Sequence, residues 1–297
     1  MVRSVLTNGT LQSHSVIERN RRTAKSFFLL IFLSIFVHPC AAQQQAADRE
    51  RYYQAIKYCR QTALLNLATT KRGPMTLSPD KRIMCFDGQV VQDARISLIN
   101  DLAEGGLFVV RSRGGHTGTA IAIAELVRDR HATVVVYDLC ASACAEFFLI
   151  ASEQTFVVKG ALVIWHNPRS GDPDHPLCSF LSTSNDGHSK KVRRGPCRAG
   201  GDGFLAYSPL LSQFFKDRTI EASFDTPPDS LYVRQRVAGL YAETGVDREI
   251  AWTLNPRYYS RLFKTKIFYE AYPESQEEVD ELASRLGFGA LRVIYDP

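Results

Sequence analysis

No apolar run in the 297 residues is long enough to cross a bilayer. The longest, Ser26 to Val37 (SFFLLIFLSIFV), has 12 residues against the roughly 20 that a spanning helix needs. A multi-pass membrane protein is thereby excluded, and a single N-terminal targeting segment remains. A Walker-type phosphate loop is also missing, so an ATPase partner would have to be a separate chain. There is no internal repeat, and an apolar content of 45% excludes a chain that is disordered throughout. An excess of one charge is nearly missing too. Of 36 basic and 31 acidic residues, five and one fall in the first 42, which leaves 31 against 30 and a net charge of +1 for the body. Without a basic stripe interleaved with aromatics, nucleic acid is not an expected partner.

The N-terminal segment has the parts of a secretory signal. Arg19, Arg21, Arg22 and Lys25 form a basic flank, the apolar run follows, and Cys40-Ala41-Ala42 supplies small residues for cleavage before Gln43. Retention of residues 26–37 as a membrane anchor is the alternative. Either outcome puts the body outside the cytoplasm, in the periplasm or an equivalent exported location, with membrane contact only through this segment. Pro39 before Cys40 does not suit a lipobox.

Six cysteines follow the prefix: Cys59, Cys85, Cys140, Cys144, Cys178 and Cys197. An even count in an exported chain points to disulfides. Cys178 with Cys197 is the first expected pair, because the 18 polar, Gly/Ser-rich residues between them form an excursion that a bridge would restrain. Cys59 with Cys85 is the second. Cys140 and Cys144 read as buried small hydrophobes or a structural bridge, and less readily as a reactive thiol or redox pair. A zinc loop from His175, Cys178, His188 and Cys197 has spacings that match no compact ligand set. No metal or cofactor is expected.

The expected organisation is a prefix (1–42), an N-terminal helix and linker (43–80), an α/β core (81–168), an insertion loop (169–203) and a helical remainder with a C-terminal tail (204–297). Asp48 to Thr69 reads as an amphipathic helix, and Lys71 to Asp80 as a linker punctuated by Gly73-Pro74 and Ser78-Pro79. Strands are expected at Arg82 to Phe86, Leu107 to Arg111, Thr133 to Tyr137, Phe156 to Val158 and Leu162 to Trp165. Helices are expected at Gln92 to Leu102, Thr119 to Arg130 and Ser142 to Ala151. This alternation predicts parallel-type α/β layering. Beyond the insertion, Tyr207 to Lys216, Asp229 to Thr244, Arg248 to Phe263 and Glu274 to Leu286 read as helices.

Three segments carry the chemistry. Ser112-Arg113-Gly114-Gly115 follows a strand, where two glycines can turn an amide into a crevice at the strand's carboxyl end. Cys140-Ala141-Ser142-Ala143-Cys144 follows the next strand and puts Ser142 at an expected helix N-terminus. Trp165-His166-Asn167-Pro168 ends a later strand. Alone, each has an ordinary reading as helix N-cap, turn or structural hydrogen bonder. Together they offer a nucleophile, a general base and an oxyanion hole.

These segments resemble those of the Clp protease proteolytic subunit family and its exported ClpP-like relatives in the ClpP/crotonase fold. Gly88-Gln89-Val90 and the segment around Ala94 resemble the family's opening strand and helix, SRGG its SPGG element, ASA its serine elbow, and IWHNP its histidine segment. The likeness covers Arg82 to Pro168, with His166 24 positions after Ser142. It implies a serine hydrolase acting on a peptide or protein, with Ser142 as nucleophile, His166 as base and the Gly115 and Ala143 amides as oxyanion hole. A homo-oligomer is left open. The family's acid does not carry over, because the stretch after Thr244-Gly245 has no matching carboxylate; Asp247 and Asn255 are the nearest substitutes. Arg113 replaces a proline, cysteines flank Ser142, and the insertion follows His166 directly. The missing acid also admits a catalytically inactive binding or assembly protein of the cell envelope.

Overall fold

A computed structural model of the chain describes residues 43–63, 74–166, 177–183, 190–196, 208–220, 231–244, 250–289 and 292–297. The chain divides into two units, Met1–Tyr53 and Gln54–Pro297. Of the first, residues 43–53 are described and are helical, with Gln44 donating to Asp48 one turn on and the Arg49 guanidinium over the Tyr53 ring. Residues 54–63 of the second unit are also helical.

The second unit is α/β, built on a seven-stranded mixed sheet. Its strands are β1 (Met75–Leu77), β2 (Ile83–Asp87), β3 (Leu107–Ser112), β4 (Thr133–Ala141), β5 (Gln154–Val157), β6 (Leu162–Ile164) and β10 (Lys266–Tyr269). Side by side they run β1-β2-β3-β4-β5-β10, and β6 also pairs with β4. All pairings are parallel except β1 with β2. Leu107 to Val110 and Val134 to Tyr137 are buried on both faces, as continuous apolar runs in a parallel sheet should be. One cover is α1 (Thr117–Asp129), which buries Ala120, Ile121, Ile123, Ala124 and Val127. Phe86, Phe108 and Phe148 form an aromatic cluster in the core, with Phe148 edge-to-face on the other two.

Strand β4 positions the site because it serves two neighbours in succession. Val134–Val136 pair with Thr155–Val157 of β5, and Leu139–Ala141 pair with Leu162–Ile164 of β6. Between the two halves the register with β3 jumps, and Asp138 takes a left-handed φ of 53°. The far half of β4 is thus re-aimed toward β6.

Several expectations need correction. The linker reading of Lys71 to Asp80 omits β1, whose edge pairing with β2 overrides the flanking turn signals. Gln92 to Leu102 yields only a 3-10 helix, Ile96–Asp101, with no side-chain cap to nucleate a longer one. Arg248 to Phe263 begins as a strand, β9 (Ile250–Leu254). All five of its residues are buried and pair with β11 (Arg292–Asp296), and only after Pro256 does the chain turn into the short helix Tyr259–Leu262. The remainder beyond residue 204 is therefore not wholly helical: β9, β10 and β11 belong to it. Within the insertion, β7 (Leu177–Thr183) and β8 (Lys190–Pro196) pair as an antiparallel hairpin. Helices α2 (Ser208–Arg218), α3 (Leu231–Thr244) and α4 (Gln276–Arg285) lie where the pattern predicts them.

Two disulfides, Cys59–Cys85 and Cys140–Cys144, fit an oxidising, exported environment. Cys197 lies outside the described residues, as do residues 26–37. Among the described residues no helix is long and apolar enough to cross a membrane.

Candidate active site

Ser142 directly follows the last residue of β4 and adopts φ +56°, a left-handed conformation that serine rarely takes. Its amide donates to the Ile164 carbonyl at 3.0 Å, and its carbonyl accepts from the Glu146 amide at 2.9 Å. The side chain is half-buried. The expected helix from Ser142 to Ala151 is instead a five-residue π-helix, Cys144–Phe148. With so short a helix, axial-dipole stabilisation of charge at Ser142 loses most of its basis. What remains are individual amides. The Cys140–Cys144 disulfide straddles the turn and ties the end of β4 to the π-helix.

Across from Ser142 lies the glycine turn. Gly114 has φ +84° and Gly115 φ +137°. A Cβ on Gly114 would come within 2.5 Å of the Ala141 carbonyl oxygen, 2.6 Å of the Ser142 Cβ and 2.8 Å of the Ala143 amide nitrogen. Only glycine permits this approach. The turn is pinned by Ser112, whose Oγ accepts from the Gly114 amide at 3.0 Å, and by Val90, whose amide donates to Gly114 and whose carbonyl accepts from His116, both at 2.8 Å. That bridge consumes the Gly114 carbonyl and the His116 amide but not the Gly115 amide, and Gly115 is exposed. No sequence motif singles out His116. Its Nδ1 accepts from the Thr119 amide at 3.2 Å and caps α1, a structural role.

His166 lies two residues past Ile164, the residue paired with Ala141 and bonded to Ser142. Ser142 and His166 therefore leave the same ends of adjacent parallel strands. The base of this segment is rigid: Trp165 exchanges two 2.8 Å backbone bonds with Trp252 of β9, and its indole donates to the Tyr259 hydroxyl. The Tyr272 hydroxyl, bonded to the Val163 amide and to Thr253, holds β6 to β9 from within the core. His166 itself is half-buried.

Asn255 is not brought to His166. β6 and β9 meet antiparallel at Trp165 and Trp252, so the chain runs away from His166 as it proceeds to Asn255. There the Asn255 amide group donates to the Tyr295 hydroxyl at 2.8 Å, and its oxygen caps the turn by accepting from the Arg257 amide. Asp247 lies outside the described residues. So do His175, His188 and Cys197, and of Cys178 only the backbone in β7 is described. Among the described residues no group of three or more potential ligands could hold a metal ion.

Glu146, which composition and spacing do not mark, is 6% exposed and sits in the π-helix that follows Ser142. Burial pushes its carboxyl up to about 8. No protein-family model and no curated protein sequence matches the chain.

Proposed function

We propose that the chain is an exported ClpP-like serine hydrolase, acting on peptides or proteins, with Ser142 as nucleophile and His166 as general base. The observation that carries the reading is the strained Ser142 turn with Gly114 pressed against it. A serine held at positive φ at the carboxyl end of a parallel strand, beside two glycines, has the form of a nucleophile presented to a crevice. In the reaction the Ser142 Oγ attacks the substrate carbonyl as His166 takes its proton, and the Gly115 and Ala143 amides stabilise the resulting oxyanion. Collapse expels the leaving amine, which takes the proton from His166, and water deprotonated by the same histidine then releases the acyl group. The two disulfides support an exported, periplasmic setting for the body.

The test is a fluorophosphonate probe on the oxidised protein. The label is expected on Ser142, absent in Ser142→Ala and slowed at least about a hundredfold in His166→Ala, since general-base catalysis contributes about 10² to 10⁴. The engagement of Asn255 elsewhere favours a second reading, an inactive ClpP-like binding or assembly protein. Folded protein that takes no label at any pH would decide for it.

A further inference from the structure

A cleft of about 820 Å³ opens at the carboxyl ends of β2, β3 and β5. This is the end of a parallel sheet where ligands collect. Ser112 and Arg113 line it directly, and the next residue, Gly114, is the one pressed on Ser142. The segment Ser112–Gly114 thus leads from the cleft to the candidate active site.

Its charge is unbalanced in a specific way. The two carboxylates in the wall, Asp87 and Asp138, are already committed. Asp87 accepts from Arg111 through both oxygens, at 2.8 and 2.9 Å, and from the Tyr137 hydroxyl at 3.0 Å. Asp138 is paired with Arg60 at 2.6 Å and lies 3.6 Å from Arg111. Three further cations face the cleft: Arg113, Lys159 and Arg285. All three are exposed, and no side-chain ion pair with a carboxylate is formed by any of them among the described residues, although the Lys159 backbone amide donates to the Glu270 carboxylate at 3.2 Å. Arg113 is oriented without being neutralised: its guanidinium stacks 4.4 Å from the Phe288 ring centroid and reaches the Leu286 carbonyl at 3.5 Å. Arg285 lies over the Gly160 turn, next to Lys159.

We propose that this cleft is a carboxylate subsite, which holds an anionic group of a peptide whose reacting carbonyl sits at Ser142. The inference deepens the hydrolase reading and takes its substrate class from it. Two guanidinium groups and an ammonium, none of them held in a side-chain ion pair, supply charge-assisted donors for a carboxylate. A peptide offers one in two places, at its C-terminus or on an acidic side chain. The preference created is for acidic peptides over neutral ones.

Direct binding tests this apart from any turnover. Oxidised full-length protein carrying Ser142→Ala is titrated by calorimetry with three probes: N-acetyl-tetraalanine with a free carboxylate, its C-terminal amide, and the amidated peptide with one alanine replaced by glutamate. At least one carboxylate probe is expected to bind about tenfold or more tighter than the neutral amide, by an amount that shrinks with added salt. Which one it is identifies the source of the carboxylate. In a Lys159→Gln, Arg285→Gln variant, both positions being exposed, the advantage is expected to vanish while the melting temperature holds. Equal or undetectable binding of all three probes, or an advantage that survives in the variant, overturns the proposal. A silent fluorophosphonate experiment does not, because the binding measurement needs no reactive serine.

Discussion

Gly114 and Ser142 touch across the turn so closely that a methyl group on the first would overlap the second, with 2.6 Å between the two Cβ positions. Gly114→Ala therefore meets two costs: about 1 kcal/mol for a side chain in the left-handed region and about 1–3 kcal/mol for overlap with backbone that cannot retreat. Gly105 separates them, because it too has positive φ (+67°) but nothing within 4 Å of its would-be Cβ. Thermal unfolding of both alanine variants is expected to show a small drop for Gly105→Ala and a drop at least twice as large for Gly114→Ala. Equal drops would mean that Gly114 is constrained by its dihedral alone.

The two disulfides are expected to differ in what they stabilise. Cys59–Cys85 spans 26 residues and ties the N-terminal helical segment to β2, whereas Cys140–Cys144 spans four. Loop-closure entropy assigns about 3.5 kcal/mol to the first and about 2 kcal/mol to the second. Denaturant titration of the paired alanine variants should show the larger global loss for Cys59→Ala, Cys85→Ala. The Cys140→Ala, Cys144→Ala pair should instead change the reactivity of Ser142 toward the fluorophosphonate. Unchanged labelling kinetics there would show that the bridge does not hold the turn.

Periodicity and glycine punctuation make β2 to β6 and α1 readable, because apolar runs such as LFVVR and TVVVY are short and bounded by turn and helix signals. The strand Ile250–Leu254 reads as helix. IAWTL is apolar but for one threonine and buried at every position, so its period is hidden, and its partners β11 and Trp165 are remote in sequence. At the site, Gly114 and Ser142 are legible from motif order. Their contact is not, since it depends on the shift of register that bends β4 at Asp138. Glu146, Lys159 and Arg285 have no local signature: the two cations stand 126 residues apart and meet only through the fold.

Asn255 is expected to matter for stability and not for chemistry. Its side chain caps the turn Pro256–Tyr258 and bonds the Tyr295 hydroxyl, joining the exits of β9 and β11. Loss of such a cap costs about 0.5–2 kcal/mol, so Asn255→Ala should melt earlier yet label at the parent rate per folded molecule. A collapse in labelling comparable to that of His166→Ala, at unchanged stability, would return Asn255 to the site.

Glu146 should make stability fall as pH rises. Burial lifts its carboxyl from an ordinary 4.5 to about 8 in the folded chain. At pH values below both, each state carries the proton and the group contributes no pH dependence. Between them the folded chain keeps a proton that the unfolded chain has released, so this group alone lowers stability by about 1.4 kcal/mol per pH unit. Above about 8 the folded chain gives up the proton as well, and the loss levels off. Glu146→Gln has no proton to lose. The variant is expected to match the parent near pH 4.5, to exceed it increasingly up to pH 8, and to hold a constant advantage beyond. Melting temperatures of the two proteins measured across pH 4 to 9 decide the matter, and parallel curves would mean that the carboxyl finds a proton or a partner by rearranging the turn that follows Ser142.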